Sequence, residues 1–544
     1  MLPTKVGTFS GALLFQSETD GSSFPNGGLR ATHTAAAYMS WDRLSPPFIR
    51  GDTVYIPSSF ITWTGAAEDE KTPLLRSMEA VNQEGMRVMN AIGTECTEVV
   101  CNVGWEQEFF CVDVEHYLMR PDLMAAGRAL IGAQPPRGQQ TDLNYFNATQ
   151  PRVAAFLDEV QSELWAIGQP LSVMHNEVAP SQYEFSPIFS LTNIANDQNV
   201  ASMEVLTEVA TRHGLAVLCH EKPFAGINGS GKHNNWGLNT DTGDNLYTPG
   251  KTPEQQARFM TMVAVLTQAV NRHADLMRCG VATAGNDHRL GAQEAPPAII
   301  SLATGEHMKE HIDAIIAGGA LEGYGSTTKS VAAGARAVPD VEAAMEDRNR
   351  TAPFPFCGNR FEFRAVGSQQ NFAFPLAILH SAVAESLGEM ADLIEGGLSQ
   401  QEATAKMFKE NERIIFNGNG YDEAWHHEAE HERGLPNLRN TVDAFEIFAS
   451  DKAKDLFSKV SVFTPAEVEA RQEIALEAYT NVSSLLFVLG GTPSNCDCAA
   501  RVLHRALSGL RASLFFVACF SLSLPTSFLL LLLPDDLARV GVHD

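Results

Sequence analysis

The chain has 544 residues, 44% of them hydrophobic, and a formal net charge of −26. The length exceeds one ordinary compact domain and the apolar content supports a sizeable core, which argues for two or three domains and against global disorder. The acidic balance argues against a nucleic-acid partner, because a phosphate backbone needs a basic face; a small anion held by a few local arginines stays open.

In chain order, the first residues lack a basic segment followed by an apolar core and do not read as a secretory signal. A strand-like run at 11–16 begins abruptly, so a missing upstream segment is expected. Residues 20–50 are rich in Gly, Ser, Asn and Pro and read as ordered loop; 54–63 reads as strand broken by a turn. Helical spacing of apolar residues predicts a long helix over 71–92, with Pro73 near its start. Short strands follow around 98–113 and 172–188, with a helix near 151–167 between them. Then come a helix near 196–213, a strand over 215–219 and a glycine-rich turn. Further helices are expected at 252–279, 373–397 and 400–417. Strands and long helices mix without a regular βαβ period, which favours α+β. The nine cysteines are dispersed with no C-x-x-C pair and read as reduced thiols in an intracellular protein.

The turn, "HEKPFAGINGSGKHNNW", fits most of a phosphate-binding loop up to Gly231 and Lys232. That motif then needs a Ser or Thr hydroxyl for magnesium. His233 stands there instead, and imidazole is a poor substitute for a hard oxygen donor. The turn can still deliver backbone groups and a histidine to a metal site. "GWEQEFF" places Glu106 and Glu108 on one face of a strand among aromatic neighbours, where paired carboxylates call for a cation. "HNEVAPSQYEF" adds Glu177 and Glu184. In "NRFEFRAVG", Glu362 and Arg364 share one strand face, a carboxylate beside a guanidinium fork. Five glutamates and one histidine suit Mg²⁺ or Mn²⁺ rather than Zn²⁺, and two such ions ringed by arginines make a phosphoryl-transfer site. "HEAEH" at 427–431 matches a zinc-protease pattern, but no third ligand is evident and a solvated acidic helix is the better reading. Arg272 and Arg278 read as surface or ion-paired.

Four segments in order, "TDGSSFPNGGLRATHTAAAYMSWD", "KPFAGINGSGKHNNW", "AGNDHRLGAQEAPPAIIS" and "DRNRTAPFPFCGNRFEFRAVGS", resemble glutamine synthetase, specifically its type III branch, over roughly residues 8 to 481. The resemblance implies ATP-dependent ligation of ammonia to L-glutamate through a γ-glutamyl phosphate. It implies a glutamine synthetase fold: a partial β-grasp domain at 1–68 and a catalytic domain at 69–481 on a curved antiparallel sheet with helices. Active sites would lie between subunits of a homo-oligomer, a double-ring dodecamer. One metal would sit on Glu108, Glu177 and Glu184, the other on Glu106, His233 and Glu362. Asn228 and Gly229 would hold the amino-acid part of glutamate, with Arg289 and Arg364 on its carboxylates. Arg350 and Arg360 would act on the transferring phosphoryl group of ATP. Glu294 would be the flap acid, and Asp20 and Ser23 would bind ammonium across a subunit boundary.

The sequence departs from the family pattern at Pro355, where a second arginine is usual, and at Gly237, where serine is usual. Most of the β-grasp domain is expected to be missing, and the match stops near Val482. The tail at 482–544 holds an apolar run at 514–533 long enough to span a bilayer. It reads as a gene-model artefact before it reads as a membrane anchor, so a membrane partner is expected only if the 514–533 run is real. The cytoplasm is the expected compartment, with a plastid left open. Two other readings stay open: a non-catalytic paralogue with a structural or regulatory role, and a ligase joining glutamate to another amine.

Overall fold

The computed structural model describes residues 37–62, 64–133, 138–325, 328–344 and 348–488. Asp20, Ser23, the strand-like run at 11–16 and the apolar run at 514–533 lie outside the described residues. The described residues belong to two compact units divided after Ile474. In the second unit they form the last turns of the helix Pro465–Val488. No helix among the described residues is long and apolar enough to cross a membrane.

The first unit opens with small antiparallel pairs. Strand β1 (Ala37–Trp41) pairs with β4 (Ser58–Thr62), and β2 (Phe48–Arg50) pairs with β3 (Thr53–Tyr55) through a tight hairpin. Gly51 adopts φ 58° in that hairpin, a conformation a side chain would disfavour. The helix Lys71–Ala91 follows, one residue shorter than expected. Its buried stripe includes Leu74, Ser77, Val81 and Val88, spaced three, four and seven apart, as helix periodicity requires.

A seven-stranded antiparallel sheet organises the rest. Strand β5 (Val99–Asp113) is one continuous 15-residue strand, not several short ones. Its length lets β7 (Gln182–Pro187), β8 (Ser190–Leu191), β9 (Leu215–Leu218) and β10 (Lys232–Thr240) all pair along it. Strand β6 (Leu171–Asn176) pairs with β7, so the expected 172–188 segment is a hairpin whose turn holds Glu177. The strand Phe361–Phe363 pairs with the far side of β10.

Long helices pack on one another around this sheet. Pro253–Gly280 starts with Thr252 and Gln255 in a reciprocal cap, with Pro253 pre-set for the first turn. Ala373–Glu395 buries nearly its whole N-terminal half. Its His380 is a tie point: Trp236 of β10 donates its indole N–H to His380 Nε2 (2.9 Å). That fixes the proton on Nδ1, which donates to Ser77 Oγ (3.2 Å), and Ser77 in turn donates to the Leu74 carbonyl (2.7 Å). Burial pushes the His380 imidazole down to about 3, so it stays neutral.

Two helix ends shift by four residues or more from expectation. The helix near 196–213 begins at Thr192, and that at 400–417 ends at Asn411, continuing as a single 3₁₀ turn. The "HEAEH" segment closes an α-turn (Glu423–His427) and continues as a π-turn (Glu428–Glu432). Its exposed His427 and His431 rings lie 4.6 Å apart, and no third ligand joins them among the described residues. Arg278 is buried against Asp287 (3.1 Å) and Arg272 pairs with Glu389 (2.5 Å).

Candidate active site

The strand register puts an acidic row across one sheet face. Glu106 of β5 lies opposite His233 of β10, and Glu108 lies opposite Glu184 of β7. Glu184 in turn lies opposite His175 of β6, while Glu362 enters from the strand beyond β10. Gln107 points the other way, as alternation requires, and donates to Ser368 Oγ (2.8 Å).

Three overlapping groups result, each with ligand atoms within 4.8 Å of one another: Glu106, His233 and Glu362; Glu108, Glu184 and His233; His175, Glu177 and Glu184. His233 Nδ1 is 3.1 Å from Glu106 and 3.3 Å from Glu362. His175 Nε2 is 3.3 Å from Glu184, and its Nδ1 is 3.6 Å from Glu177.

The charges divide the row into two halves. Burial would raise the Glu362 carboxyl, but the Arg364 guanidinium, His233 and Arg348 outweigh it and hold it well below the usual range. Burial also opposes ionisation of Glu106, and His233 and Arg348 again prevail, lowering it. At the other end no arginine stands among the leading influences on Glu177 or Glu184 from the described residues. Burial, followed by Glu108 and Glu184, pushes the Glu177 carboxyl up to about 9. Burial also pushes Glu184 up to about 7. The hydrogen bond that His175 donates to Glu184 leads the forces that lift His175 to about 9. A buried carboxylate cluster of this kind is relieved by a divalent cation, and oxygen donors with one or two imidazoles fit Mg²⁺ or Mn²⁺.

Arginines rim the row. Arg364 Nη1 donates to Glu362 (3.0 Å), and Arg348 Nε donates to the other oxygen of Glu362 (2.7 Å). Arg360 Nε donates to Asn235 (2.7 Å), and Arg350 is 3.5 Å from Glu294. Arg289 is buried, with Nη2 donating to the Arg364 carbonyl (3.2 Å).

The glycine turn packs tightly against these groups. A Cβ on Gly231 would lie 2.2 Å from Arg289 Nη2, and one on Gly229 would lie 2.3 Å from the Glu221 carbonyl oxygen. Neither position has room for a side chain. The Gly231 N–H donates to Glu108 Oε2 (2.5 Å). Gln139 grips Asn228 twice, accepting from its N–H (2.6 Å) and donating to its side-chain oxygen (2.9 Å).

A cavity of 480 Å³ opens over the row. Glu106, Glu108, Glu177, Glu184, His233 and Glu294 line it together with Arg348, Arg350, Arg360 and Arg364. Val173, Ile188 and Phe189 form an apolar ledge on the same cavity, with Phe189 64% exposed. Glu362, Asn228 and Arg289 are buried and do not line it. Thirteen of the fifteen expected site residues therefore gather here; Asp20 and Ser23 are not described. Sequence reasoning missed His175 and Arg348. Both stood in quoted segments, His175 two residues before Glu177 and Arg348 two before Arg350.

Three family models match the chain in order: glutamine synthetase type III N terminal over residues 3–77, glutamine synthetase catalytic domain over 86–281, and glutamine synthetase C-terminal domain over 400–485. The chain is 47% identical over 483 residues to the type-3 glutamine synthetase of Dictyostelium discoideum, covering 87% of this chain and 65% of that protein. It is 42% identical to the glutamine synthetase of Bacteroides fragilis, with 87% and 66% covered. The chain thus spans just under two thirds of the length of these relatives. A solved structure described as apo GmaS without ligand matches with a TM-score of 0.53 at 18% identity, covering 83% of each chain, a likeness of fold alone. With the acidic row on an antiparallel sheet and three matching models in sequence, the chain belongs to the type III glutamine synthetase family.

Proposed function

We propose that the chain catalyses ATP-dependent ligation of ammonia to L-glutamate, giving L-glutamine, ADP and phosphate through a γ-glutamyl phosphate. The observation that carries this is the convergence of five glutamates and two histidines on one arginine-rimmed cavity. The family implies ATP and a divalent metal. Glu106, His233 and Glu362 would hold one ion and Glu108, Glu177 and Glu184 the other, with Mg²⁺ or Mn²⁺ preferred by the oxygen-rich donor set. Bound there, such ions neutralise phosphate charge during transfer.

The chain's own groups do the remaining work in this reading. Arg350 and Arg360 face the cavity and offset charge on the transferring phosphoryl group. Arg289, Arg364, Asn228 and Gly229 orient glutamate so that its side-chain carboxylate meets the phosphate. Once phosphorylated, that carbonyl becomes electrophilic. Glu294 then accepts a proton from ammonium, so that neutral ammonia attacks the acyl carbon and phosphate leaves. The flap carrying Glu294 excludes water from the acyl phosphate. The apolar ledge at Val173, Ile188 and Phe189 suits the flat base of a nucleotide.

Asp20 and Ser23 complete the ammonium site across a subunit boundary in a double-ring dodecamer, and the compartment is the cytoplasm. The division into 1–68, 69–481 and 482–544 belongs to the same reading. The test is incubation of the purified chain with ATP, Mg²⁺, glutamate and hydroxylamine. γ-Glutamyl hydroxamate is the expected product. Its absence favours a non-catalytic role, and preference for a larger amine over ammonia favours a related ligase.

A further inference from the structure

Two consecutive residues of the Glu294 loop, Gln293 (φ 55°) and Glu294 (φ 68°), adopt left-handed backbone conformations. Neither is glycine, so neither holds this conformation without outside support. The loop closes on itself through the Gly291 N–H to the Pro296 carbonyl (2.9 Å) and the Ala295 N–H to the Ala292 carbonyl (3.2 Å). The Glu294 carboxylate is only loosely held, 3.4 Å from Asn228 Nδ2 and 3.5 Å from Arg350 Nη1. Other groups of the loop are held more firmly, one on the backbone and one on a side chain. Arg364 Nη2 donates to the Glu294 carbonyl (3.2 Å), and Lys222 Nζ donates to Gln293 Oε1 (2.5 Å).

Lys222 is an unusual partner. It is 7% exposed, yet no carboxylate lies within ion-pair distance of it among the described residues. A buried ammonium normally has an acidic partner. Here its bonds go to the Gln293 amide oxygen and to the Ile227 carbonyl, one residue before Asn228. One side chain therefore ties the glycine turn to the loop that carries Glu294. Burial, then Arg289 and Arg128, push the amine down to about 8, so most of it stays protonated and able to donate at neutral pH.

We propose that Lys222 and Gln293 form a latch that holds the Glu294 loop closed in its left-handed conformation, with Lys222 a positioning residue that keeps water from the acyl phosphate. The consequence rests on the reading of Glu294 as the flap acid; the latch itself rests on the contacts. Opening the latch admits water. Its oxygen then bonds to the acyl carbon, a proton is lost to solvent, and phosphate departs with the electron pair of the broken C–O bond. Glutamate is regenerated and ATP is consumed without glutamine.

The test uses the full chain with Lys222→Met, Gln293→Ala and Gln293→Glu, and two readouts. The first is amide hydrogen exchange in the 288–298 peptide without substrates. Gln293→Ala and Lys222→Met are expected to speed exchange of the Gly291 and Ala295 amides about tenfold or more, while Gln293→Glu, which gives Lys222 a carboxylate, keeps them protected. The second is phosphate released per glutamine formed, expected near one in the unaltered chain and at least about threefold higher in the two latch-breaking variants. Gln293 is only partly buried, so Gln293→Ala decides the matter if Lys222→Met does not fold. Unchanged exchange in Gln293→Ala overturns the latch. Faster exchange in a chain that makes no glutamine at all upholds the latch and overturns the functional reading alone. Faster exchange with an unchanged phosphate ratio overturns the water-excluding role.

Discussion

Glu177 is the carboxyl of the acidic row whose ionisation is most strongly opposed. Its folded carboxyl keeps a proton up to about 9, whereas an unfolded glutamate loses it near pH 4.3. Between those values the metal-free fold loses stability as pH rises, because the folded state binds the proton that the unfolded state has shed. Glu177→Gln removes the ionisation and keeps the shape. It is expected to stabilise the chelated protein by up to about 4 kcal/mol at pH 7.5, with the gain vanishing near pH 4.5. It should also shrink the stabilisation that added Mn²⁺ gives. Urea unfolding with and without EDTA measures both; a stability loss in EDTA contradicts the like-charge account. At this scale the glutamates were legible because alternation in "GWEQEFF" and "NRFEFR" fixes which side chains share a face. Arg348 was not, because it sits in an irregular loop where no period says which way a side chain turns.

Among elements, the helix Lys71–Ala91 is tied down twice. At its first residue, Lys71 lies 3.0 Å from Asp42 and also pairs with Asp197 of the helix Thr192–Arg212, all with little exposure. Lys71→Met leaves two buried carboxylates facing each other and is expected to cost about 3–5 kcal/mol. A change under 1 kcal/mol by denaturant unfolding, on the order of a surface pair, contradicts that. Six residues further on, Ser77 meets His380, whose Nε2 accepts from Trp236 of β10. His380→Leu leaves that indole N–H unpaired in the core and should cost about 1–3 kcal/mol. The pH sign is also fixed. His380 is neutral in the fold down to about 3 but titrates near 6.5 when unfolded, so its contribution is whole above pH 6.5 and falls as pH drops below it. The stability gap between the unaltered chain and His380→Leu should therefore narrow by about 1 kcal/mol between pH 6.5 and 5.5. A constant gap contradicts a neutral buried imidazole. The six expected helices were legible to within six residues at each end, since 3.6 periodicity runs through them, whereas Glu306–Ile316 and Pro465–Val488 were not anticipated. The unbroken length of β5 was not, because four partner strands distant in sequence determine how far it extends.

For the whole molecule, the net charge of −26 has a local meaning as well as a global one. Buried carboxylates are concentrated where seven antiparallel strands bring distant segments to one face, and the arginines cluster at one end of that row. Folding therefore assembles a site that repels itself until cations arrive, and metal binding should add cooperatively to stability. The most direct measurement is Mn²⁺ titration of the full chain, read by the loss of the free-ion paramagnetic resonance signal, alongside Glu362→Gln and Glu177→Gln. A pair of bound Mn²⁺ ions per chain is expected, with one lost on substituting Glu362 and the other weakened on substituting Glu177. No saturable Mn²⁺ binding, or binding indifferent to both substitutions, would contradict the account.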